Sequence, residues 1–365
     1  MSFSAIRPFD PAQGKPFDLP FLPPFGNFTD PETIKILLKA RTELGELKGY
    51  SSALPNPMLL LSPAVLKESV KSSQIENIST TVENVLQVQL FPEAEQRKPE
   101  KEVLHYREAL VWGFKQLNGL PLSTRIVVGV QKKLLPESAG GYRKMQNSIQ
   151  DVAAGKVIYT TPSAEKIPDL MGNWEKFLHA EDDIDPLVKC VMAHYQFEAI
   201  HPFIDGNGRT GRILMVLYLV EQGFLAIPLL YVSGYINKNR SEYYRLLSDV
   251  SAKQNWVPLV NFLLNALYLQ ARETKETFTA AMGLYHKMRE KVRTEFPRIY
   301  SGDLVEALFV FPIISPVSLG KTLNIHYTTA SRYLATLAKG KILVEAEVGK
   351  YHLFVNKRLL ELLKK

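Results

Sequence analysis

Cysteine is nearly absent from this chain of 365 residues, which contains one, Cys190. A single cysteine excludes an internal disulfide framework and a zinc site built from cysteines. Long hydrophobic runs are also missing, because the longest, 213–220, is far shorter than the roughly 20 residues that cross a bilayer. The N-terminal residues show no basic segment followed by an apolar stretch. We therefore expect a soluble cytoplasmic protein with no membrane segment.

Over most of the chain neither acidic nor basic residues are in excess, so the net charge of +7 arises from one part of the sequence. From residue 275 to the C-terminus, 15 Lys and Arg stand against eight Asp and Glu. This basic excess is typical of a module that faces nucleic acid or an acidic partner. A solvated surface explains it almost as well.

The first segment, 1–29, is rich in proline and phenylalanine. Proline removes amide donors and fixes the backbone, so the segment is neither a helix nor a central strand. We predict an extended arm, held to the body by Phe9, Phe17, Phe21 and Phe25. A disordered arm is the alternative.

The second segment, 30–272, has helical periodicity. Asp30-Pro31 and Ser62-Pro63 each place a capping side chain before a proline, as at many helix starts. The predicted helices include 62–77, 82–90, 106–117, 122–135, 184–197 and 210–222. The last of these is apolar nearly all round, which is typical of a helix buried in the middle of a domain. The one strand expected here is 156–161.

The third segment, 273–365, begins with a linker helix and continues as short helices and strands. Helices are predicted at 304–309, 318–323 and 328–337, and strands at 342–347 and 351–355. Helix, turn, helix and hairpin is the order of a winged helix-turn-helix. The recognition helix of this module, 328–337, offers only Arg332 as a cation, which is little for DNA. The module could instead bind a protein or a second copy of the chain.

The loop 201–212, with the sequence HPFIDGNGRTGR, lies between two predicted helices. Its glycine spacing matches a dinucleotide-binding turn and a P-loop, but a helix precedes it and the P-loop lysine is absent. An EF-hand would need a glutamate at its twelfth position, where Val216 stands. A zinc helix would need a second ligand nearby. None of these four sites fits.

The loop nevertheless combines groups that act on phosphates. Glycines before a helix let backbone amides approach an anion. Arg209 and Arg212 are planar cations suited to phosphate oxygens. Asp205 can bind magnesium, and His201 can act as a general base. This set indicates phosphoryl or nucleotidyl transfer, and a glycine-rich loop with solvated arginines is the alternative.

The loop also matches the Fic motif, HxFx(D/E)GNGRxxR, at every specified position, and 30–272 resembles a Fic core. The resemblance implies a mainly α-helical fold and transfer of AMP from ATP to a Ser, Thr or Tyr hydroxyl. It implies that His201 deprotonates the target and that Asp205 holds Mg²⁺ on the α- and β-phosphates. The implied ATP-binding residues are Gly206, Asn207, Gly208, Arg209, Thr210, Gly211 and Arg212.

Two further stretches resemble accessory elements of Fic proteins. Residues 156–161, which include Lys156, Val157, Ile158 and Tyr159, resemble the flap, a β-hairpin whose edge pairs with an extended target segment. Tyr243 is similar to the aromatic residue on the adenine side. A surface hairpin and a core tyrosine are the alternatives.

Residues 72–77, with the sequence SSQIEN, resemble the Fic inhibitory motif, (S/T)xxxE(G/N), placed N-terminal to the core as in class II. Ser72 and Glu76 are four apart and share a helix face. Asn77 can adopt the left-handed conformation that ends a helix. The resemblance implies that Glu76 pairs with Arg212 and takes the place of the γ-phosphate. A solvated glutamate near a helix end is the alternative.

The leading interpretation is an autoinhibited protein adenylyltransferase that uses ATP and Mg²⁺ and acts on a protein target or on itself. One alternative is the reverse reaction, in which Glu76 positions water to remove AMP. Another is a transferase with a different phosphate donor. A nucleotide-sensing DNA-binding regulator is the non-enzyme alternative, and a homodimer stays open.

Overall fold

The computed structural model describes residues 15–364 except 25, 53–57, 93–94, 139 and 152–155. The helices are α1 (Pro31–Ser52), α2 (Met58–Ile75), α3 (Val82–Val88), α4 (Lys98–Gln116), α5 (Thr124–Leu134), α6 (Ile167–Leu178), α7 (Pro186–Ile200), α8 (Asn207–Glu221), α9 (Ser233–Lys238), α10 (Arg240–Lys253), α11 (Trp256–Glu295), α12 (Gly302–Val310), α13 (Pro316–Leu323), α14 (Tyr327–Lys339) and α15 (Lys357–Lys364). The strands are β1 (Ser148–Asp151), β2 (Lys156–Thr160), β3 (Ile313–Ile314), β4 (Val344–Val348) and β5 (Tyr351–Val355). The mainly α fold expected from the sequence is confirmed.

Helix α8 lies in the middle of the molecule and packs against α2, α4, α5 and α7. Its side chains are buried on every face from Thr210 to Leu219, as the apolar pattern predicted. Helix α4 approaches it closely at Gly113, where a Cβ would lie 2.6 Å from Leu217 Cδ1. Because α8 is held on all sides, the loop at its N-terminal end rests on a rigid support.

Helix α11 is continuous for 40 residues and packs along α1. At its midpoint, Lys275 pairs with Glu43 of α1 at 2.7 Å. The predicted boundary at 272/273 therefore falls inside a helix. The division into domains there stays a prediction, because no break in the backbone marks it.

The C-terminal part shows the predicted order of helices followed by a hairpin. Strands β3, β5 and β4 form an antiparallel sheet in that order, beside α13 and α14. The sequence analysis missed β3 and α15. Tyr351 stacks on Phe91 with ring centroids 4.3 Å apart, and Lys350 pairs with Glu95 at 2.8 Å. Since α12 also packs on α2, this part contacts the N-terminal third of the chain.

The N-terminal arm is partly anchored as predicted. Phe17 is buried, and its amide donates to Thr160 O at 3.1 Å. The prediction for Phe21 is wrong, because its side chain is exposed. Leu22 is buried instead, with its amide and carbonyl bonded to the Asn173 side chain at 2.8 and 3.0 Å, and its neighbour Phe21 points outward. Phe9 and Phe25 lie outside the described residues.

Within the described residues, none of the helices combines the length and the apolar character required to span a bilayer.

Candidate active site

The loop between α7 and α8 is folded around Asn207. Its buried side chain accepts from Phe203 N and donates to Phe203 O, both at 2.9 Å. Gly206 has φ of 81°, a left-handed conformation that suits glycine. Asp205 Oδ1 accepts from Gly206 N at 2.6 Å. These contacts bring the chain directly into α8, whose first amides face the loop and favour an anion.

His201 ends α7 in a left-handed conformation, with φ of 50°. Its Nδ1 lies 3.3 Å from Glu198 O. When Nδ1 donates to that carbonyl, Nε2 keeps its lone pair and can accept a proton. Burial lowers the pKa of His201, so the ring is neutral at physiological pH. Both features suit a general base.

Arg212 is 1% exposed and is held by the C-terminal end of α2. Its Nε donates to Ser72 Oγ at 2.8 Å, and its Nη2 donates to Ser72 O at 3.0 Å and to Glu76 Oε1 at 2.8 Å. Burial alone would raise the pKa of Glu76, but the charge and hydrogen bond of Arg212 outweigh it and the pKa is lowered. Glu76 is therefore ionised in this contact.

Glu76 also rests against the start of α8. A Cβ added at Gly208 would collide with Glu76 Oε1. The turn after α2 has Asn77 at φ of 62°, and Arg240 Nη1 donates to Asn77 Oδ1 at 2.9 Å. The structure thus brings Ser72, Glu76 and Arg212 together as the sequence analysis expected. The carboxylate occupies the helix end at which a phosphate would bind.

Arg209 Nη2 and Asp205 Oδ1 lie 3.8 Å apart. Arg209 is buried and donates to Glu102 Oε2 at 2.8 Å, while Asp205 is 73% exposed. No group of three possible metal ligands occurs among the described residues. Mg²⁺ that arrives with nucleotide phosphates needs only one or two carboxylates from a protein, so the exposed Asp205 fits this ion.

Tyr243 is buried, and its hydroxyl lies 2.7 Å from His194 Nε2. Its neighbour Tyr244 is 44% exposed, with the Arg240 guanidinium 5.7 Å from the ring centroid. A role for Tyr243 on the adenine side stays a prediction. Tyr244 is the aromatic residue of this pair that a ligand can reach.

The segment predicted as a flap is a strand in an antiparallel hairpin, β1–β2. Val157 pairs with Gln150 and Tyr159 with Ile149, so Ile158 is the extra residue of a bulge, with an exposed side chain. In the strand register, Lys156 lies opposite Asp151 at the end of the hairpin. Tyr159 is buried and donates to Ala199 O at 2.9 Å, which ties the hairpin to the end of α7.

Sequence reasoning missed three charged residues at this site: Arg143, Glu102 and Glu198. Burial raises the pKa of Glu198 to about 7, and its Oε1 has no hydrogen-bond partner in the described part of the chain. Glu198 lies one helical turn before His201. An acidic residue three positions before the predicted base is a signal that the sequence alone contained. Neither Arg143 nor Glu102 belongs to a sequence motif. Both contact the loop 201–212 because the folded chain brings distant segments together.

Three family models match the chain. Residues 34–115 match Fic/DOC family N-terminal, residues 121–219 match Fic/DOC family, and residues 284–359 match Protein adenylyltransferase SoFic-like, C-terminal domain. The three matches together account for most of the chain. They include residues 72–77, the loop 201–212 and the C-terminal sheet.

Curated relatives carry related names. The chain is 28% identical over 214 residues to a probable protein adenylyltransferase of Aquifex aeolicus, covering 58% of this chain and 59% of that protein. It is 24% identical over 250 residues to protein adenylyltransferase Fic of Nematostella vectensis, covering 62% and 54%. The chain thus spans less than two thirds of the length of these relatives.

A solved structure shares the fold. The crystal structure of a Fic family protein from Desulfovibrio desulfuricans superposes with a TM-score of 0.58 at 20% identity. The match covers 92% of this chain and 98% of that one. Similarity at this identity supports the fold and carries no argument about the reaction.

Proposed function

Since the chain belongs to the Fic/DOC family, we propose that it is an autoinhibited protein adenylyltransferase. It transfers AMP from ATP to a Ser, Thr or Tyr hydroxyl of a protein target or of itself. The observation that carries this proposal is the placement of a base, an amide cradle and two arginines on one loop, at the N-terminal end of a buried helix.

The proposed reaction assigns a role to each group of the loop. His201 Nε2 takes the proton of the target hydroxyl, whose oxygen forms a bond to the α-phosphorus of ATP. The bond from that phosphorus to the bridging oxygen breaks, and pyrophosphate leaves. Amides at the start of α8 and the cations Arg209 and Arg212 stabilise the negative charge of the phosphates. Mg²⁺ held by Asp205 would neutralise phosphate charge.

We also propose that Glu76 restrains this site. Arg212 cannot donate the same hydrogen bonds to Glu76 and to a γ-phosphate at once. A hydrogen bond to a charged group contributes about 1.5–3 kcal/mol, which is roughly a ten- to hundredfold change in occupancy. Bound ATP is then displaced or misplaced for attack on its α-phosphate.

The test is incubation with ATP labelled on the α-phosphate and Mg²⁺, followed by mass spectrometry of the modified residue. The proposal expects AMP on a hydroxyl side chain, and little or none with His201→Ala, because loss of a general base costs roughly 10²–10⁴-fold in rate. His201→Ala should bind ATP nearly as the parent does. Labelling by His201→Ala at the parent rate would contradict the assignment.

Removal of AMP from a modified protein is a second candidate reaction. The observation in its favour is that Glu76 is ionised and 34% exposed beside the cradle, where a carboxylate can orient a water molecule. Release of AMP from a labelled protein separates the two reactions. Glu76→Gly would lose this release but gain transfer.

The C-terminal part has the element order of a winged helix, and we propose that it serves targeting. Two of its lysines, Lys350 and Lys364, pair with Glu95 and Glu83 of the N-terminal third. These pairs favour a protein partner or a second copy over nucleic acid. Binding to nucleic acid would weaken steeply with salt, whereas salt-independent binding indicates a protein partner. The cytoplasm, which supplies ATP and Mg²⁺, is the location that fits this function.

A further inference from the structure

We propose that Arg143 is a positioning residue that fastens both ends of the flap hairpin to the catalytic loop. A target segment docked on the flap then meets the base His201 in a fixed register. This inference rests on the proposed function for its reaction, but the link itself is a property of the fold that can be measured without activity.

The Arg143 side chain holds the two ends of the hairpin. Its guanidinium donates from Nη1 to Met145 O at 2.8 Å, just before β1. It donates from Nη2 to Pro162 O at 2.6 Å, just after β2. One rigid group therefore fixes the entry and the exit of the flap.

The same residue holds the backbone on either side of the catalytic base. Arg143 Nε donates to His201 O at 2.9 Å, and Nη2 makes a longer contact with Ile200 O at 3.4 Å. The amide of Arg143 donates to Pro202 O at 2.8 Å. Arg143 thus contacts three consecutive residues, from the end of α7 into the loop, with His201 in the middle.

The chemistry of these contacts requires arginine. Arg143 is 3% exposed, and it forms no ion pair with a carboxylate in the described part of the chain. Burying a cation is costly unless its donors are satisfied, and here backbone carbonyls satisfy them. A planar guanidinium offers five donors in a fixed fork, whereas a lysine ammonium offers three on a flexible stem. Lysine can keep the charge but cannot reach all of these carbonyls.

The position of His201 depends on this link. His201 has a left-handed backbone, which is uncommon for a residue with a side chain and persists when its surroundings hold it. Arg143 fixes its carbonyl, while Glu198 O faces its Nδ1. The charge of Arg143 also contributes to lowering the pKa of His201, after the larger effect of burial. Arg143 thus holds the backbone of the base and makes a smaller contribution to its lowered pKa.

The test uses two variants, Arg143→Lys and Arg143→Met, each combined with Glu76→Gly. The matched control is Arg125→Lys, because Arg125 is an exposed arginine on α5. Amide hydrogen exchange is measured first, without nucleotide. We expect faster exchange at 145–151 and 157–162 in both Arg143 variants, and unchanged exchange in α8 and in the control. Protection of the flap equal to that of the parent would overturn the link.

The reaction is then run with labelled ATP and Mg²⁺. The measured quantity is the partition of AMP between attachment to protein and release by hydrolysis. Water needs no register against the flap, so the fraction of AMP attached to protein should fall about tenfold or more in Arg143→Lys, while the Kd for ATP stays within about threefold. This ratio does not depend on how much protein is folded. An unchanged partition in both variants would refute the positioning role.

The pH profile separates charge from shape. Arg143→Met should move the acid limb of kcat/KM to higher pH, because loss of the positive charge raises the pKa of His201, whereas Arg143→Lys should leave the limb in place. If Arg143 were merely structural, the two substitutions would give the same pH profile. Acid limbs of kcat/KM at the same pH in both variants therefore count against the proposal. If the Glu76→Gly parent transfers no AMP at all, the proposed function fails, and the exchange experiment still decides the link.

Discussion

Glu76 Oε1 lies 2.8 Å from Arg212 Nη2, yet the two side chains differ sharply in exposure, 34% against 1%. Arg212 is fixed within the core by its bonds to Ser72, while Glu76 reaches it from the solvent side. The pair can therefore open by movement of Glu76 alone, while the bonds to Ser72 keep the arginine in place. This asymmetry suits the proposed restraint, because Glu76 can be released while Arg212 stays in place.

Ser72→Ala should destabilise the fold by about 1–3 kcal/mol, because Arg212 Nε would lose its acceptor in a buried place. Urea unfolding measures the change. Ser73→Ala is the matched control, since Ser73 Oγ is buried and forms no hydrogen bond within the described residues. Equal stability of the two variants would show that the Ser72 bond contributes nothing.

Transfer by Glu76→Gly should keep its rate as the pH falls through about 6.5, the usual pKa of histidine. A base acts in its neutral form, and burial lowers the pKa of His201, so the activity should fall only at more acidic pH. Removing Glu76, whose charge raises this pKa, works in the same direction. A kcat/KM profile with its acid limb above pH 6.5 would contradict a His201 whose pKa is lowered.

Asp205→Asn should raise the concentration of Mg²⁺ needed for half-maximal transfer, because an amide oxygen is a weaker ligand than a carboxylate for this ion. The fold should be unaffected, since Asp205 is mostly exposed. A titration with Mg²⁺ at fixed ATP measures the shift. Asp183→Asn, at another exposed aspartate, is the control, and identical titrations for both variants would remove Asp205 from the metal site.

Tyr243→Phe should lower stability by about 1–3 kcal/mol, because His194 Nε2 would lose its buried partner. Tyr244→Ala should instead raise the KM for ATP with little change in stability, as its ring is exposed beside Arg240. Thermal unfolding and initial rates distinguish the two effects. A raised KM in Tyr243→Phe with unchanged stability would favour Tyr243 as the adenine-side residue.

The sequence was informative where function depends on neighbours along the chain. The loop 201–212 and the segment 72–77 each match a Fic motif within a short run of residues, and this resemblance implied the pairing of Glu76 with Arg212 that the structure contains. Helix α8 was recognisable because its apolar residues surround it completely.

Contacts between distant segments could not be predicted in this way. Arg143 lies 58 residues before His201, and nothing around it marks it as a ligand for carbonyls. Phe21 was chosen for its hydrophobicity, but which side chain of an extended arm faces the body depends on where Asn173 holds the backbone. The predicted boundary at 272/273 was drawn close to residue 275, where the basic excess begins, and charge composition does not show that α11 continues through it.

The most direct test of the central claim is the rate of labelled-AMP incorporation by the parent chain and by Glu76→Gly, at saturating ATP and Mg²⁺. Glu276→Gly, at an exposed glutamate on α11, is the control. The account predicts an increase of roughly ten- to hundredfold for Glu76→Gly, an intermediate rate for Glu76→Asp, and no change for the control. Equal rates in the parent and Glu76→Gly would contradict the restraint, and a lower rate in Glu76→Gly would favour the AMP-removing reaction.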